Sequence, residues 1–240
     1  GTKLYIDNIT FSSSGAAAAA PLEHAPQGTA SLPSYFEDGT RQGWDWSVDS
    51  GTKVNLLVEK VNGSKALAFE FAYPEVKPTD NWASAPRLDL WLDPMTRGEN
   101  SFLLFDCYLE PTTATTGSIA ISAAFQPPEF SYWAQIPDSY NIDLALLSEA
   151  EKTEDGLYHY MAVMDLETIE AVADDTQLRN LLLIFADIES DFSGKIYVDN
   201  IRLVTQAEYD EIVSSVETDV EPTTEPSAET TTSVSETTAS

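Results

Sequence analysis

The chain has 240 residues, with 40 Asp and Glu against 12 Lys and Arg, giving a formal charge of −28 with both histidines neutral. A surface this acidic is repelled by phosphate backbones and anionic lipid headgroups, which excludes nucleic acid and anionic membrane surfaces as partners. No apolar run reaches the length of a membrane-spanning helix, and the single cysteine, Cys107, allows neither an intrachain disulfide nor a cysteine-based zinc site.

In chain order, the first feature is an internal echo. Lys3-Leu4-Tyr5-Ile6-Asp7-Asn8-Ile9-Thr10-Phe11 matches Lys195-Ile196-Tyr197-Val198-Asp199-Asn200-Ile201-Arg202-Leu203 in its Lys, Tyr, Asp, Asn and Ile. Both stretches read as strands, being rich in β-branched and aromatic residues. The second closes a long β-rich region, so residues 1–11 read as the closing strand of a preceding related module. Residues 12–33, built from Ser, Ala, Gly and Pro, read as a linker.

From 34 to 204 short strand patterns alternate with Gly, Pro, Asn and Asp. Strands are predicted over 53–60, 65–72, 87–92, 101–110, 117–126, 157–165, 180–188 and 195–204. Leu67, Phe69 and Phe71 alternate with Ala68 and Glu70, and Leu103, Phe105, Cys107 and Leu109 alternate with Asp106 and Tyr108, so each set names an inward face. Asn62-Gly63 marks a tight hairpin. Helical periodicity is confined to 144–151, 166–174 and 206–213. Many strands and few helices predict an all-β fold, an antiparallel β-sandwich formed by one domain over 34–204 with a short helical extension over 205–213. Residues 214–240 carry Ser and Thr at more than half their positions and no aromatic residue. They cannot bury enough surface to offset their ordering entropy and read as a disordered Ser/Thr/Glu/Pro spacer.

Nucleophilic hydrolysis needs a base that titrates near neutrality. The candidates are His24, in the linker, and His159, between Tyr158 and Tyr160 on a predicted strand, where a packed or surface role is the ordinary one. No phosphate-cradling glycine loop, dinucleotide fingerprint or paired-histidine metal motif is present. A glycosidase needs only two carboxylates, but in so acidic a domain some pair always lies at a suitable distance. The tryptophans discriminate better. Trp82 lies in the polar turn Lys77-Pro78-Thr79-Asp80-Asn81-Trp82-Ala83-Ser84, and Trp133 follows Gln126-Pro127-Pro128-Glu129-Phe130-Ser131-Tyr132. Trp44 and Trp46 are two apart between glycine-flanked segments, whereas Trp91, among Leu88, Leu90 and Leu92, is expected in the core. An exposed indole offers a flat apolar face to the C–H patches of a pyranose ring and leaves the hydroxyls to carboxylates, amides and guanidinium groups.

Phe36-Glu37-Asp38-Gly39-Thr40 leading to Gly43-Trp44, then Asn62-Gly63, 66–71 and the closing Tyr197-Val198-Asp199-Asn200-Ile201-Arg202-Leu203, resemble a jelly-roll carbohydrate-binding module. Asp80-Asn81-Trp82 with Arg87, Phe105-Asp106-Cys107-Tyr108-Leu109 and Gln126-Pro127 narrow the resemblance to the mannan-binding modules of families 23 and 27 that accompany β-mannanases. The resemblance implies a non-catalytic module that targets an attached glycoside hydrolase to soluble β-mannan. Carried over by position, Trp82 and Trp133 are the stacking residues, with Trp46 or Trp44 as a third, and Arg87, Gln126 and Glu70 are the polar contacts. It also implies a structural calcium near the meeting of the first and last strands, with Glu37 and Asp199 as hard oxygen ligands. The expected setting is extracellular, secreted or attached to a cell surface. The expected partners of this monomer are a plant β-mannan polysaccharide and other modules of the same chain. The alternatives are a catalytic polysaccharide-degrading domain and a structural or adhesive cell-surface domain.

Overall fold

The computed structural model describes residues 30–126, 134–169 and 172–218, with side chains up to 215. The strands in chain order are β1 (Trp44–Trp46), β2 (Leu57–Val61), β3 (Ser64–Ala72), β4 (Arg87–Thr96), β5 (Phe102–Thr113), β6 (Ser118–Gln126), β7 (Ala134–Gln135), β8 (Tyr140–Asp143), β9 (Tyr158–Asp165), β10 (Gln177–Ile188) and β11 (Ser193–Val204). They form two antiparallel sheets. The first runs β1-β4-β10-β6-β7 with β8 also on β6, and the second runs β2-β3-β11-β5-β9. This is the expected β-sandwich.

The core lies between the sheets, and strand alternation decides what enters it. Leu67, Phe69 and Phe71 of β3 meet Leu103, Phe105, Cys107 and Leu109 of β5 and Leu88, Leu90 and Leu92 of β4. Phe69 packs edge-on against Phe185 at 5.1 Å between ring centroids, and Phe71 packs against Phe192 at 5.3 Å. Cys107 is fully buried, and burial pushes its thiol pKa far above the ordinary range, so it is an inert packing residue. Between β2 and β3, Asn62 and Gly63 both take positive φ, as the two-residue hairpin signal requires.

Several boundaries move. Ala30 is buried and bridges Leu92 of β4, and Ser34 pairs antiparallel with Ile201 of β11, exchanging hydrogen bonds of 2.8 and 3.0 Å. Residues 30–33 therefore belong to the domain and not to a linker, because their backbone completes sheet edges. The helix α1 (Gln206–Thr218) runs past 213, through the first residues assigned to the spacer. Thr205 caps it through Glu208, and Tyr209 packs on Phe102 at 4.5 Å. Of the other helical expectations, 144–151 becomes a 3-10 helix over Leu144–Glu149, and 166–169 forms turns. Residues 1–29 and 219–240, with the expected preceding strand and the rest of the spacer, lie outside the described residues.

Candidate functional site

The outer face of the first sheet is floored by small side chains. Ala120 and Ala124 of β6, Leu182, Ile184 and Ala186 of β10, and Ala85 form an apolar cluster there, separate from the core. Register aligns the polar residues in rows across it. Trp91, Asn180 and Gln126 form one row, on β4, β10 and β6. Asp45, Asp89, Leu182, Ala124 and Gln135 form the next, and Arg87, Ile184 and Ser122 a third. From Asn180 to Ala186 the face runs about 20 Å along β10, six residues at the strand rise.

Trp82 stands at the Ala186 end. The short 3-10 turn Asn81–Ser84 carries it, started by Asp80, whose carboxylate accepts from Trp82 N–H at 2.9 Å. The Arg87 guanidinium donates to the Trp82 carbonyl at 3.3 Å. The indole is half-buried, resting on the apolar cluster. Trp91 stands at the other end, also half-buried. Its Nε1 donates to Asp89 Oδ2 at 3.1 Å, and the Arg179 guanidinium lies 5.8 Å from the ring centroid. Asp89 also accepts from the Asn180 amide. Burial holds the Asp89 carboxyl above its ordinary pKa, and the charges of Asp45 and Asp49 add to this against the two hydrogen bonds it accepts. With its NH₂ committed to Asp89, Asn180 turns its carbonyl away, and that Oδ1 is buried with no hydrogen-bond partner among the described residues. Two indoles, an apolar floor and a row of amides and carboxylates can hold a neutral polyhydroxylated chain lengthwise.

Of the residues expected at the site, Trp82, Arg87 and Gln126 share this face. Trp133 lies outside the described residues. Trp46 does not reach the face. It pairs with Leu88 and points inward with the fully buried Trp44, so it packs against the core under the Lys53 ammonium, 4.7 Å from the ring centroid. Residues two apart on a strand share a side, and Asp45 between the two tryptophans is the one turned to the cleft. Glu70 is also elsewhere. It is an exposed residue of β3 opposite Lys195, on the outside of the second sheet, with the whole sandwich between it and Trp82. Trp91 corrects the core expectation in the other direction. Leu88, Leu90 and Leu92 take the inward positions, which leaves Asp89 and Trp91 facing out. That alternation was present in the sequence, whereas nothing local marked Asn180.

Glu37 and Asp199 do come together. The Ser64 hydroxyl donates to Glu37 and, at 3.0 Å, to Asp199 Oδ2, and Lys65 N–H donates to Glu37 Oε1 at 3.2 Å. Burial, with the nearby Asp106 and Glu37 carboxylates, pushes the Asp199 pKa up to about 6. Oxygen donors in a locally negative setting fit a hard cation. Among the described residues no set of three or more acidic, histidine or cysteine side chains converges, so further ligands to such an ion would have to be carbonyls, hydroxyls or water. His159 sits on the outside of the second sheet, with Nε2 2.9 Å from Asp106 Oδ1, and its ring stacks on Tyr108.

The sequence model of a family described as carbohydrate binding domain (family 17/28) matches residues 31–203. An endoglucanase of Bacillus sp. (strain KSM-635) is 53% identical over 197 residues, which cover 82% of this chain and 21% of that protein. An endoglucanase of Halalkalibacter akibai is 51% identical over 199 residues, covering 83% of this chain and 24% of that protein. The chain thus spans less than a quarter of the length of these relatives. Among solved structures, a family 28 carbohydrate-binding module described as specific for non-crystalline cellulose is 53% identical with a TM-score of 0.72, covering 77% of this chain and all of that one. A family 27 module from Caldicellulosiruptor saccharolyticus in complex with mannohexaose has a TM-score of 0.54 at 19% identity, over 71% of this chain and 94% of that one, which shares the fold alone.

Proposed function

The chain belongs to the carbohydrate-binding domains of family 17/28, non-catalytic binding modules, and from that premise we propose that its cleft holds single β-1,4-linked glucan chains of non-crystalline cellulose. The observation that carries this reading is the outer face of the first sheet, where Trp82 and Trp91 bracket an apolar floor beside the polar row of Asn180 and Gln126. A single chain can lie lengthwise over such a floor, stack on the indoles and hydrogen-bond a hydroxyl to the partly exposed Gln126 amide. The similarity to a module described as specific for non-crystalline cellulose favours glucan over the β-mannan expected from sequence, for which the likeness is one of fold. Its endoglucanase relatives support the reading that the domain is secreted as part of an endoglucanase and keeps that enzyme on loosened cellulose.

Affinity electrophoresis against hydroxyethylcellulose, glucomannan, galactomannan and xyloglucan tests the assignment. Retardation by hydroxyethylcellulose, with no reducing sugar released, is expected. Retardation by the mannans alone would transfer the cleft to β-mannan, and retardation by none would refute the assignment.

A structural calcium held by Glu37 and Asp199 is part of the same proposal. Bound only by the folded state, the ion would stabilise it by linkage and would hold the segment around Glu37 to β11. A chelator is expected to lower Tm and to leave the cleft's affinity unchanged well below the transition. An unchanged Tm would remove the ion.

A further inference from the structure

A tryptophan side chain on a sheet face turns about two torsions, and its ring keeps a single plane only where a neighbour fixes it. For Trp91 that neighbour is on its own strand. Asp89 and Trp91 are two apart on β4, so their side chains leave the sheet on the same side. The carboxylate stands at the foot of the indole, and Trp91 Nε1 donates to its Oδ2 at 3.1 Å. The other oxygen, Oδ1, accepts from the side-chain amide of Asn180, the residue opposite Trp91 on β10. Asn180 is only 1% exposed, so this anchor lies below the surface. A chain of contacts thus runs from a buried amide, through a carboxylate, to the edge of a partly exposed ring.

Both bonds need the carboxylate ionised. In that state it only accepts, and here it meets two N–H donors. A proton on either oxygen sets a third donor against those two, and one of the bonds is weakened. The charges around Asp89 decide how readily that happens. Asp45 of β1 stands directly opposite, with the Arg41 guanidinium 3.3 Å from its carboxylate, and Asp49 lies just beyond β1. Arg179 lies 5.8 Å from the Trp91 ring centroid, and Arg87, two residues before Asp89, donates to the Trp82 carbonyl. Leu182, opposite Asp89 on β10, is apolar. Burial, with Asp45 and Asp49 adding to it, makes Asp89 take up its proton at milder acidity than an ordinary carboxylate.

We propose that Asp89 is a positioning residue of the cleft, which touches no sugar itself and sets the plane of the Trp91 indole on which a sugar ring stacks. The inference rests on the cleft reading above and deepens it. It also makes retention on the polysaccharide acid-sensitive, since the same carboxylate has to stay ionised.

Calorimetric titration with a cello-oligosaccharide long enough to reach both indoles, run from pH 7 down to pH 4, tests it on the wild type, Asp89→Asn and Asp89→Ala. Wild-type affinity should fall as the pH is lowered. Asp89→Asn keeps one acceptor and should lose about three- to tenfold at pH 7, the worth of one hydrogen bond, and Asp89→Ala should lose more. Neither variant should show the fall toward pH 4. In proton–nitrogen NMR spectra of the free domain, the Trp91 indole N–H signal should move in both variants while that of Trp82 stays. Wild-type affinity in the variants would overturn the proposal. A loss of affinity with an unmoved Trp91 signal would overturn it too, making Asp89 a direct sugar contact, as would a variant that keeps the acid limb, which would then belong to another group. Asp89→Asn, close in shape to the native residue, keeps the test decisive if Asp89→Ala does not fold. A wild type that binds no cello-oligosaccharide would instead refute the cleft reading itself.

Discussion

Truncating Trp82 separates the two roles that its position gives it. An indole offers about 150–250 Å² of surface, and most of Trp82 is already covered, resting on the cluster of Ala85, Ala120, Ala124, Leu182, Ile184 and Ala186. That leaves about 60 Å² for a sugar ring, which at about 25 cal/mol/Å² contributes about 1.5 kcal/mol. Trp82→Ala should therefore weaken cellulose binding by about tenfold. The supported part also matters to folding. A fully buried indole costs about 3–5 kcal/mol when truncated, so about two-thirds of that, about 2–3 kcal/mol, should be lost here. For a domain of this size the loss lowers Tm by about 4–12 °C. Titration with a cello-oligosaccharide at a temperature well below the variant's transition measures the first effect, and a thermal melt measures the second. Normal affinity with lowered stability would make Trp82 a packing residue and remove it from the cleft. Unfolding at room temperature would show that the floor cluster is far more dependent on the indole than its partial burial indicates.

Trp44→Ala should invert that pattern. Trp44 is fully buried and its Nε1 donates to the Ser34 hydroxyl at 3.0 Å, so about 3–5 kcal/mol of stability should disappear while the folded fraction keeps its affinity; weakened binding by the folded fraction would contradict its inward placement. Glu70→Ala should leave cellulose affinity unchanged in the same titration, because the residue lies on the far sheet, and any loss would reopen the location of the site. The hydrogen bond and charge of Asp106 raise the His159 pKa against the effect of burial. A group raised in the folded state stabilises fully below its unfolded value, about 6.5, and loses that contribution as pH rises through its folded value. With the two side chains 24% and 19% exposed and so still partly screened, this is about 1 kcal/mol. Melts of His159→Gln from pH 6 to 9 should therefore lack a small decline in Tm that the wild type shows, and superimposable profiles would refute the coupling.

The period-two pattern carried most of the fold. All eight strands expected from alternation and turn residues are present, because their inward faces are uniformly apolar in β3, β5 and β4. The three that escaped, β1, β7 and β8, have two to four residues each, too few for a period to register, and pairing with longer neighbours stabilises them. The site was legible only where a residue's local setting already implied its exposure. Trp82 in a polar turn is such a case. Trp46 and Glu70 were misplaced for a different reason: which sheet a strand joins, and on which side of it a residue falls, depends on long-range pairing. Asp89 and Asn180 are joined across 91 residues of sequence by a hydrogen bond that no local signal announces.

The pairing of Ser34 with Ile201 has a mechanical consequence. The segment that brings the chain into the sandwich runs antiparallel to the strand that carries it out, and Pro33, Tyr35, Arg202 and helix α1 line one groove. The two flanking polypeptides are therefore tethered at one end of the domain. Tension drawn in through the incoming segment meets the hydrogen bond from Asp93 N–H to the Ala30 carbonyl first and the Ser34–Ile201 pair after it. Because Ala30 bridges Leu92, beside Trp91, that load enters at the end of the domain where Trp91, Asn180 and Gln126 align.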